Sequence, residues 1–165
     1  MEIRPVRVTD VDASRLVEEV QAEYTIRYGS PDRSPLDAAM LAVPRGAFFV
    51  GYVDGTPAAM GGWRFRSGVS AFGRTRPAEI KRMYVAAAAR RTGLATQMLE
   101  HLETTAGAAG ADLMVLETGI EQPEAIALYE RHGYEPVTRF GYYKWSSRSR
   151  HLGKSLPGSL AAIGS

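Results

Sequence analysis

The sequence predicts a mixed α/β domain, one sheet with helices on its faces, and three observations carry that prediction. Asp54-Gly55 lies between two apolar runs and is a two-residue hairpin signal. Leu113-Met114-Val115-Leu116 is an unbroken apolar run, as expected of a central strand covered on both faces. Segments with helical spacing precede and follow that run and read as crossovers. Hairpins come first and crossovers later, giving the order β-α-α-β-β-β-α-β-α-β-β.

Each element has a local reason. Ile3 to Val8 alternates apolar and polar residues and reads as a first strand. Thr9 is the expected cap of the next helix, with Asp12 as the acidic partner of a capping box. Leu16, Val17, Val20, Tyr24 and Tyr28 then recur at helical spacing until Gly29-Ser30-Pro31. Leu36 to Val43 reads as a weaker second helix, stopped before Pro44. Ala47 to Val53 and Thr56 to Phe65 form the hairpin strands, and Ser67 to Pro77 is a polar loop. Ala78 to Val85 is the next strand.

After a loop over residues 86–93, Leu94, Met98, Leu99 and Leu102 line one side of a helix that Gly107 and Gly110 are expected to end. A further helix lies between Pro123, suited to a first turn, and Gly133, suited to the position past the end. Tyr134 to Val137 and Tyr142 to Trp145 read as two closing strands. From Ser146 the composition shifts to Ser, Arg, Gly and Pro, so residues 1–145 read as the domain and 146–165 as a flexible or docking tail.

Composition narrows the function classes. The 165 residues suit one domain with a real core, and 45% hydrophobic with 23% charged residues is a globular profile. The net charge of +2 comes from scattered basic residues, which argues against nucleic acid as a partner. With no cysteine, disulfides, thiolate metal sites and a cysteine nucleophile are excluded. The N-terminus lacks an apolar signal segment and no run approaches a membrane span, so a cytoplasmic protein without a membrane partner is expected. His101, His132 and His151 are isolated and show no metal-ligand spacing, and no metal is expected.

The strongest local signal is strand, small-residue loop, helix: Met83-Tyr84-Val85, Ala86 to Ala89, then Arg90-Arg91-Thr92-Gly93-Leu94-Ala95. Gly93 allows dihedrals that other residues resist. The helix start offers unpaired N–H groups and a positive dipole end, and Arg90 and Arg91 add charge suited to phosphate. An ordinary strand-to-helix turn with solvated arginines fits the same residues. Gly153-Lys154-Ser155 mimics the end of a phosphate-binding P-loop, but Arg148 stands where the upstream glycine belongs. Neither GxGxxG nor G-x-S-x-G occurs.

Together these residues resemble the GCN5-related N-acetyltransferase (GNAT) family over nearly the whole chain, Ile3 to about Trp145. Arg90 to Ala95 matches the family's Q/R-x-x-G-x-G/A loop, and Ala78 to Val85 looks like the strand before it. Leu116-Glu117-Thr118-Gly119 and Gln122 to Tyr134 look like the next strand, helix and closing aromatic. The resemblance implies a central, mostly antiparallel sheet flanked by helices, with splayed central strands, and acetyl-CoA as the cosubstrate. It implies pantetheine contacts from the Met83-Tyr84-Val85 strand. The pyrophosphate falls to the loop from Arg90 through Arg91, Thr92, Gly93, Leu94 and Ala95 to Thr96, and Gln122 also falls in the cofactor site. The acceptor amine then attacks the thioester directly, with no acyl-enzyme. Glu79, four residues before Met83, is the candidate base, the alternative being a glutamate paired with Lys81 or Arg82. Tyr129 matches the family tyrosine that protonates the leaving thiolate, the alternative being a core aromatic.

The acceptor is expected to be a small-molecule amine. Candidate acceptor residues are Tyr24, Tyr28, Phe72, Arg74, Arg76, Phe140, Tyr142 and Tyr143, and Asp12, Glu18, Glu19 and Glu23 would suit a cationic acceptor. A protein or peptide amine, or a non-catalytic acyl-CoA-binding module on the same fold, are the alternatives. A homodimer is a further expectation from the family.

Overall fold

The structure is a computed structural model that describes residues 1–33 and 36–157. The elements follow the predicted order: β1 (Glu2–Pro5), α1 (Val11–Tyr28), a 3₁₀ turn (Ala38–Leu41), β2 (Gly46–Val53), β3 (Thr56–Phe65), β4 (Pro77–Val85), a second 3₁₀ turn (Ala87–Ala89), α2 (Leu94–Ala108), β5 (Leu113–Gly119), α3 (Pro123–Arg131), β6 (Glu135–Pro136) and β7 (Ser149–Ser155). The strands are ordered β1-β2-β3-β4-β5-β7-β6. Antiparallel pairing joins β1 to β2, β2 to β3, β5 to β7 and β6 to β7. Pro77–Glu79 pair with Leu113–Val115 in parallel. Among the described residues no helix is long and apolar enough to cross a membrane.

The chain divides into two compact units, Met1–Arg64 with Lys81–Leu102, and Phe65–Ile80 with the chain from Glu103 onward. In the first, Asp54 and Gly55 both take positive φ (50° and 78°), the mirror-image turn that matches the twist of β2 and β3. Ala13, Leu16 and Val20 of α1 pack with Phe48, Val50, Tyr52, Met60 and Tyr84. Gly61 of β3 faces α2 so closely that a Cβ there would lie 3.0 Å from Leu102 and 3.3 Å from Met98. Its neighbour Gly62 faces the opposite way, toward Ala47, Phe48 and Leu41. In the second unit Leu113, Val115 and Phe140 form the core with Val69, Ala71 and Val137.

Several expected boundaries change. The first strand covers Glu2–Pro5 rather than Ile3 to Val8. Asp10, not Thr9, caps α1, its carboxylate accepting from the Asp12 N–H at 2.9 Å. Asp12 is thereby free of a capping box and accepts from the Tyr52 hydroxyl at 2.8 Å. The expected helix at residues 36–43 is only the 3₁₀ turn capped by Asp37. Gly107 lies inside α2, which ends at Ala108, two residues before Gly110 with its φ of 108°.

The largest correction concerns the closing strands. Residues 134–137 supply only Glu135–Pro136, and residues 142–145 form turns. Side chains take the backbone groups that a ladder would need there. Arg139 donates to the carbonyls of Lys144 (2.5 Å), Ser146 and Ser149 (3.3 Å), and Glu117 accepts from the Tyr143 N–H at 3.3 Å. The last strand is Ser149–Ser155, within the segment that composition sets off as a tail, and it pairs with β5 along its full length. The rest of that segment, residues 158–165, lies outside the described residues.

Candidate active site

The predicted cofactor residues Met83, Tyr84, Val85 and Arg90 to Thr96 belong to the first unit. β4 carries a backbone irregularity just before them, with Arg82 at φ 56°. Such a left-handed residue in a strand is uncommon and clusters at functional sites. Met83 and Val85 are half-buried. Tyr84 points the other way into the α1 core, where its hydroxyl donates to Glu19 at 3.4 Å. Burial, then Glu23 and Glu19, push its phenol up to about 12.

The turn after β4 is built for close approach. Ala87–Ala89 carry only methyl groups, Arg91 and Gly93 have φ of 65° and 82°, and nothing lies within 4 Å of where a Gly93 Cβ would be. Thr92 Oγ1 donates to the Ala89 carbonyl at 2.6 Å and closes the turn. The Gln97 N–H bonds to Gly93 O at 3.2 Å, so the amides of Leu94, Ala95 and Thr96 stand ahead of the helix's own ladder. They form the positive end of α2. Arg91 is exposed beside them.

Arg90 is placed differently from the expectation of a phosphate-facing cation. Its Nη2 reaches both Glu23 oxygens at 2.7 Å, its Nε donates to Val85 O at 3.1 Å, and its guanidinium lies over Tyr84. It ties the loop to α1. Asp12, Glu19 and Glu23 are therefore engaged by Tyr52, Tyr84 and Arg90. Of the acidic α1 set suggested for a cationic acceptor, Glu18 is exposed.

Glu79, Gln122 and Tyr129 belong to the second unit. Glu79 is 1% exposed, and its Oε1 accepts from Arg66 Nη1 at 3.1 Å. Sequence reasoning weighed Lys81 and Arg82 as partners and missed Arg66, because a pair spanning a loop leaves no spacing signal. Arg66 also lies over the Phe140 ring, and Phe140 packs edge-on against His151 with centroids 5.1 Å apart. His151 stands opposite Glu117 in the β5–β7 ladder, Nε2 3.6 Å from Glu117 Oε2. Gly141 lies against the same carboxylate, with which any Cβ would collide. Arg76, suggested for an acceptor carboxylate, packs its guanidinium against Gly110 while its backbone pairs with Asp112.

Tyr129 occupies a second group of contacts. It is buried on α3, and its ring meets Tyr134 edge-on at 5.5 Å. The Tyr134 hydroxyl donates to Glu103 at 2.7 Å, and Lys154 Nζ reaches both Glu103 oxygens at 3.1 and 3.2 Å. Burial, then the Glu103 charge, holds the Tyr134 phenol well above its ordinary value, so Tyr134 is a neutral, fixed support. Gln122 precedes Pro123 at the start of α3 and makes no side-chain cap. Among the described residues no cluster of His, Asp and Glu could hold a metal ion.

Comparison with known proteins identifies the family. Residues 13–134 match the model of the acetyltransferase (GNAT) family. A relative from Azospirillum brasilense named IAA acetyltransferase is 33% identical over 142 residues, 86% of this chain and 89% of that protein. A Klebsiella pneumoniae structure, described by name as an acyl-CoA N-acyltransferase, superposes with a TM-score of 0.72 at 27% identity, covering 94% of this chain and 97% of that one. The GNAT domain of S. lividans PAT shares the fold at a TM-score of 0.69 and 19% identity, covering 93% of this chain and 89% of that one. This fold uses an acyl-CoA as cosubstrate, and the chain belongs to the GNAT acetyltransferase family as an N-acetyltransferase.

Proposed function

We propose that the chain moves an acetyl group from acetyl-CoA directly to the amine of a small-molecule acceptor, without an acyl-enzyme. The observation that carries this reading is the turn before α2, where Arg91 and Gly93 hold positive φ, the side chains are small, and the first-turn amides precede the helix's own ladder. That is an anion site suited to a pyrophosphate. Leu94, Ala95 and Thr96 would bind it through their amides, and Arg91 through its charge. Met83 and Val85 would pair with the pantetheine arm through their backbone, and Gln122 would add a polar contact. The relative whose name gives IAA as its acceptor supports a discrete small acceptor.

The chemistry then follows from ionisation. The acceptor must reach the thioester as a neutral amine. Glu79, buried and ion-paired, would take the proton through water rather than by direct contact. Tyr129, held by Tyr134, would give a proton to the departing sulfur. The absence of cysteine and of a serine elbow fits direct attack.

The test is calorimetric titration with acetyl-CoA followed by thiol release over a panel of amines and amino acids. Tight acetyl-CoA binding and release with at least one amine are expected. Binding with no release across the panel overturns the small-acceptor reading.

A further inference from the structure

The Gly153-Lys154-Ser155 triplet, which mimics a phosphate loop in sequence, has another place in the fold. It lies on β7 opposite Leu113, Met114 and Val115 of β5. Gly153 serves close packing, since a Cβ there would lie 2.8 Å from Val137 and 3.2 Å from the Met114 carbonyl. Strand alternation sends Lys154 to the opposite face. There its Nζ reaches both oxygens of Glu103, on α2, at 3.1 and 3.2 Å. The side chains of this pair are only 29% and 13% exposed, so it is less screened than a surface ion pair.

The pair closes on Tyr134. The Tyr134 hydroxyl donates to the same Glu103 carboxylate at 2.7 Å, and the Lys154 ammonium stands 5.7 Å from the centre of the ring. The Tyr134 N–H donates to the Tyr129 carbonyl at 3.0 Å. The ring is thus held at its hydroxyl, by a cation at the ring and through its backbone. Tyr129 meets this fixed ring edge-on, with centroids 5.5 Å apart and planes at 63°. All four residues belong to the second unit. Because its proton is committed to Glu103, Tyr134 does not compete with Tyr129 as a donor.

We propose that Lys154 and Glu103 are positioning residues for the acid of the reaction, fixing the Tyr129 side chain through the Tyr134 ring in the orientation from which it protonates the departing sulfur. The proposal rests on the acetyl-transfer reading above. In that step the C–S bond breaks with its electron pair on sulfur, the phenol proton moves to the sulfur, and the Tyr129 phenolate regains a proton from water. Donor alignment matters because hydrogen bonds weaken steeply as they bend. A brace with a structural role alone would change stability and leave the transfer step as it is.

The experiment uses the full chain with Lys154→Met, Lys154→Arg, Glu103→Gln, Tyr129→Phe and the double variant Tyr129→Phe/Lys154→Met. Thiol release from acetyl-CoA is measured with a fixed panel of primary amines. Lys154→Met is expected to lower kcat about tenfold, while the calorimetric Kd for acetyl-CoA stays unchanged. Lys154→Arg should recover most of the loss, since a guanidinium can also take both Glu103 oxygens. In the Tyr129→Phe background, Lys154→Met should change kcat by less than about twofold, because residues that act as one unit are not additive. The ring Cζ resonance of Tyr129, assigned by its loss in Tyr129→Phe, should shift in Lys154→Met and Glu103→Gln and return in Lys154→Arg. Should Lys154→Met fail to fold, Glu103→Gln, which keeps an acceptor for the Tyr134 hydroxyl and loses only the ion pair, serves in its place throughout. An equal loss of kcat in both backgrounds, or an unmoved Tyr129 resonance, overturns the proposal and leaves the transfer reading standing. Parent-like turnover in Tyr129→Phe, or no release with any amine, overturns the assignment of Tyr129 as acid and the proposal with it.

Discussion

Replacing Gly93 isolates the contribution of backbone shape to cofactor binding. Its φ is 82°, and no atom lies within 4 Å of a Cβ built there. Gly93→Ala therefore adds no collision, and the whole penalty is conformational, about 1–2 kcal/mol for an L-residue in the left-handed region. For a chain of this size that is a fall in Tm of roughly 2–8 °C. The N–H groups of Leu94 to Thr96 follow directly on this residue, so relaxing the strain would turn them away from the pyrophosphate proposed to bind there. We expect acetyl-CoA affinity to drop about tenfold, near 1.4 kcal/mol. Acetyl-CoA at a hundred times its Kd stabilises a protein by about 2.7 kcal/mol, and the same concentration should then give the variant roughly half that. Gly93→Asn should lose less of both, because asparagine tolerates the left-handed region better than alanine. Urea denaturation of the apo protein and thermal shifts with acetyl-CoA read the two effects separately. Equal losses for Ala and Asn, or an Ala variant that binds acetyl-CoA like the parent, would refute the backbone argument.

Other outcomes follow from the site. Arg66→Met removes the guanidinium from the buried Glu79 carboxylate and should lower stability by about 2–3 kcal/mol. Glu79→Gln should lower it by only about 1 kcal/mol, and equal urea midpoints would show that the pair carries no such asymmetry. Tyr129→Phe should reduce turnover far more than acetyl-CoA binding, and equal turnover in a thiol-release assay sinks its role as acid. Burial lowers the folded pKa of His101 and His151, so the unfolded chain takes up their protons first as pH falls. Their contribution to stability is full above an unfolded pKa of about 6.5 and is lost below it; denaturation midpoints that stay flat from pH 8 to 5 would contradict this.

What the sequence revealed depended on how local each signal was. The Asp54-Gly55 turn, the strand Thr56–Phe65 and the Pro123 helix start are fixed by the chemistry of neighbouring residues, and each was legible. The turn before α2 was legible for the same reason, since its shape depends on Gly93 and the helix after it. The closing strand was not. Tyr142 to Trp145 has the composition of a strand, but Arg139 and Glu117 bind its backbone from outside the segment. Ser149–Ser155 has too few apolar residues to announce itself and becomes a strand by pairing with β5 on one side and β6 on the other. His151 looked isolated because one neighbour, Glu117, is supplied by that pairing and another, Phe140, by the segment between β6 and β7. Arg66 escaped notice likewise, since its link to Glu79 spans the loop between β3 and β4.

The two adjacent glycines of β3 have a consequence for how this enzyme can change. With no room for a Cβ at Gly61 beside Leu102 and Met98, and still less at Gly62 beside Ala47 and Phe48, the seat of α2 is set by main chain on one side and by the first sheet hairpin on the other. Side chains elsewhere in a core can trade volume with one another, but a main-chain surface has nothing to trade. The height of α2 above β3, and with it the position of the amides at its start, is thus insulated from drift in the surrounding hydrophobic residues. Exposed loops are free to diversify while the start of α2 keeps one geometry.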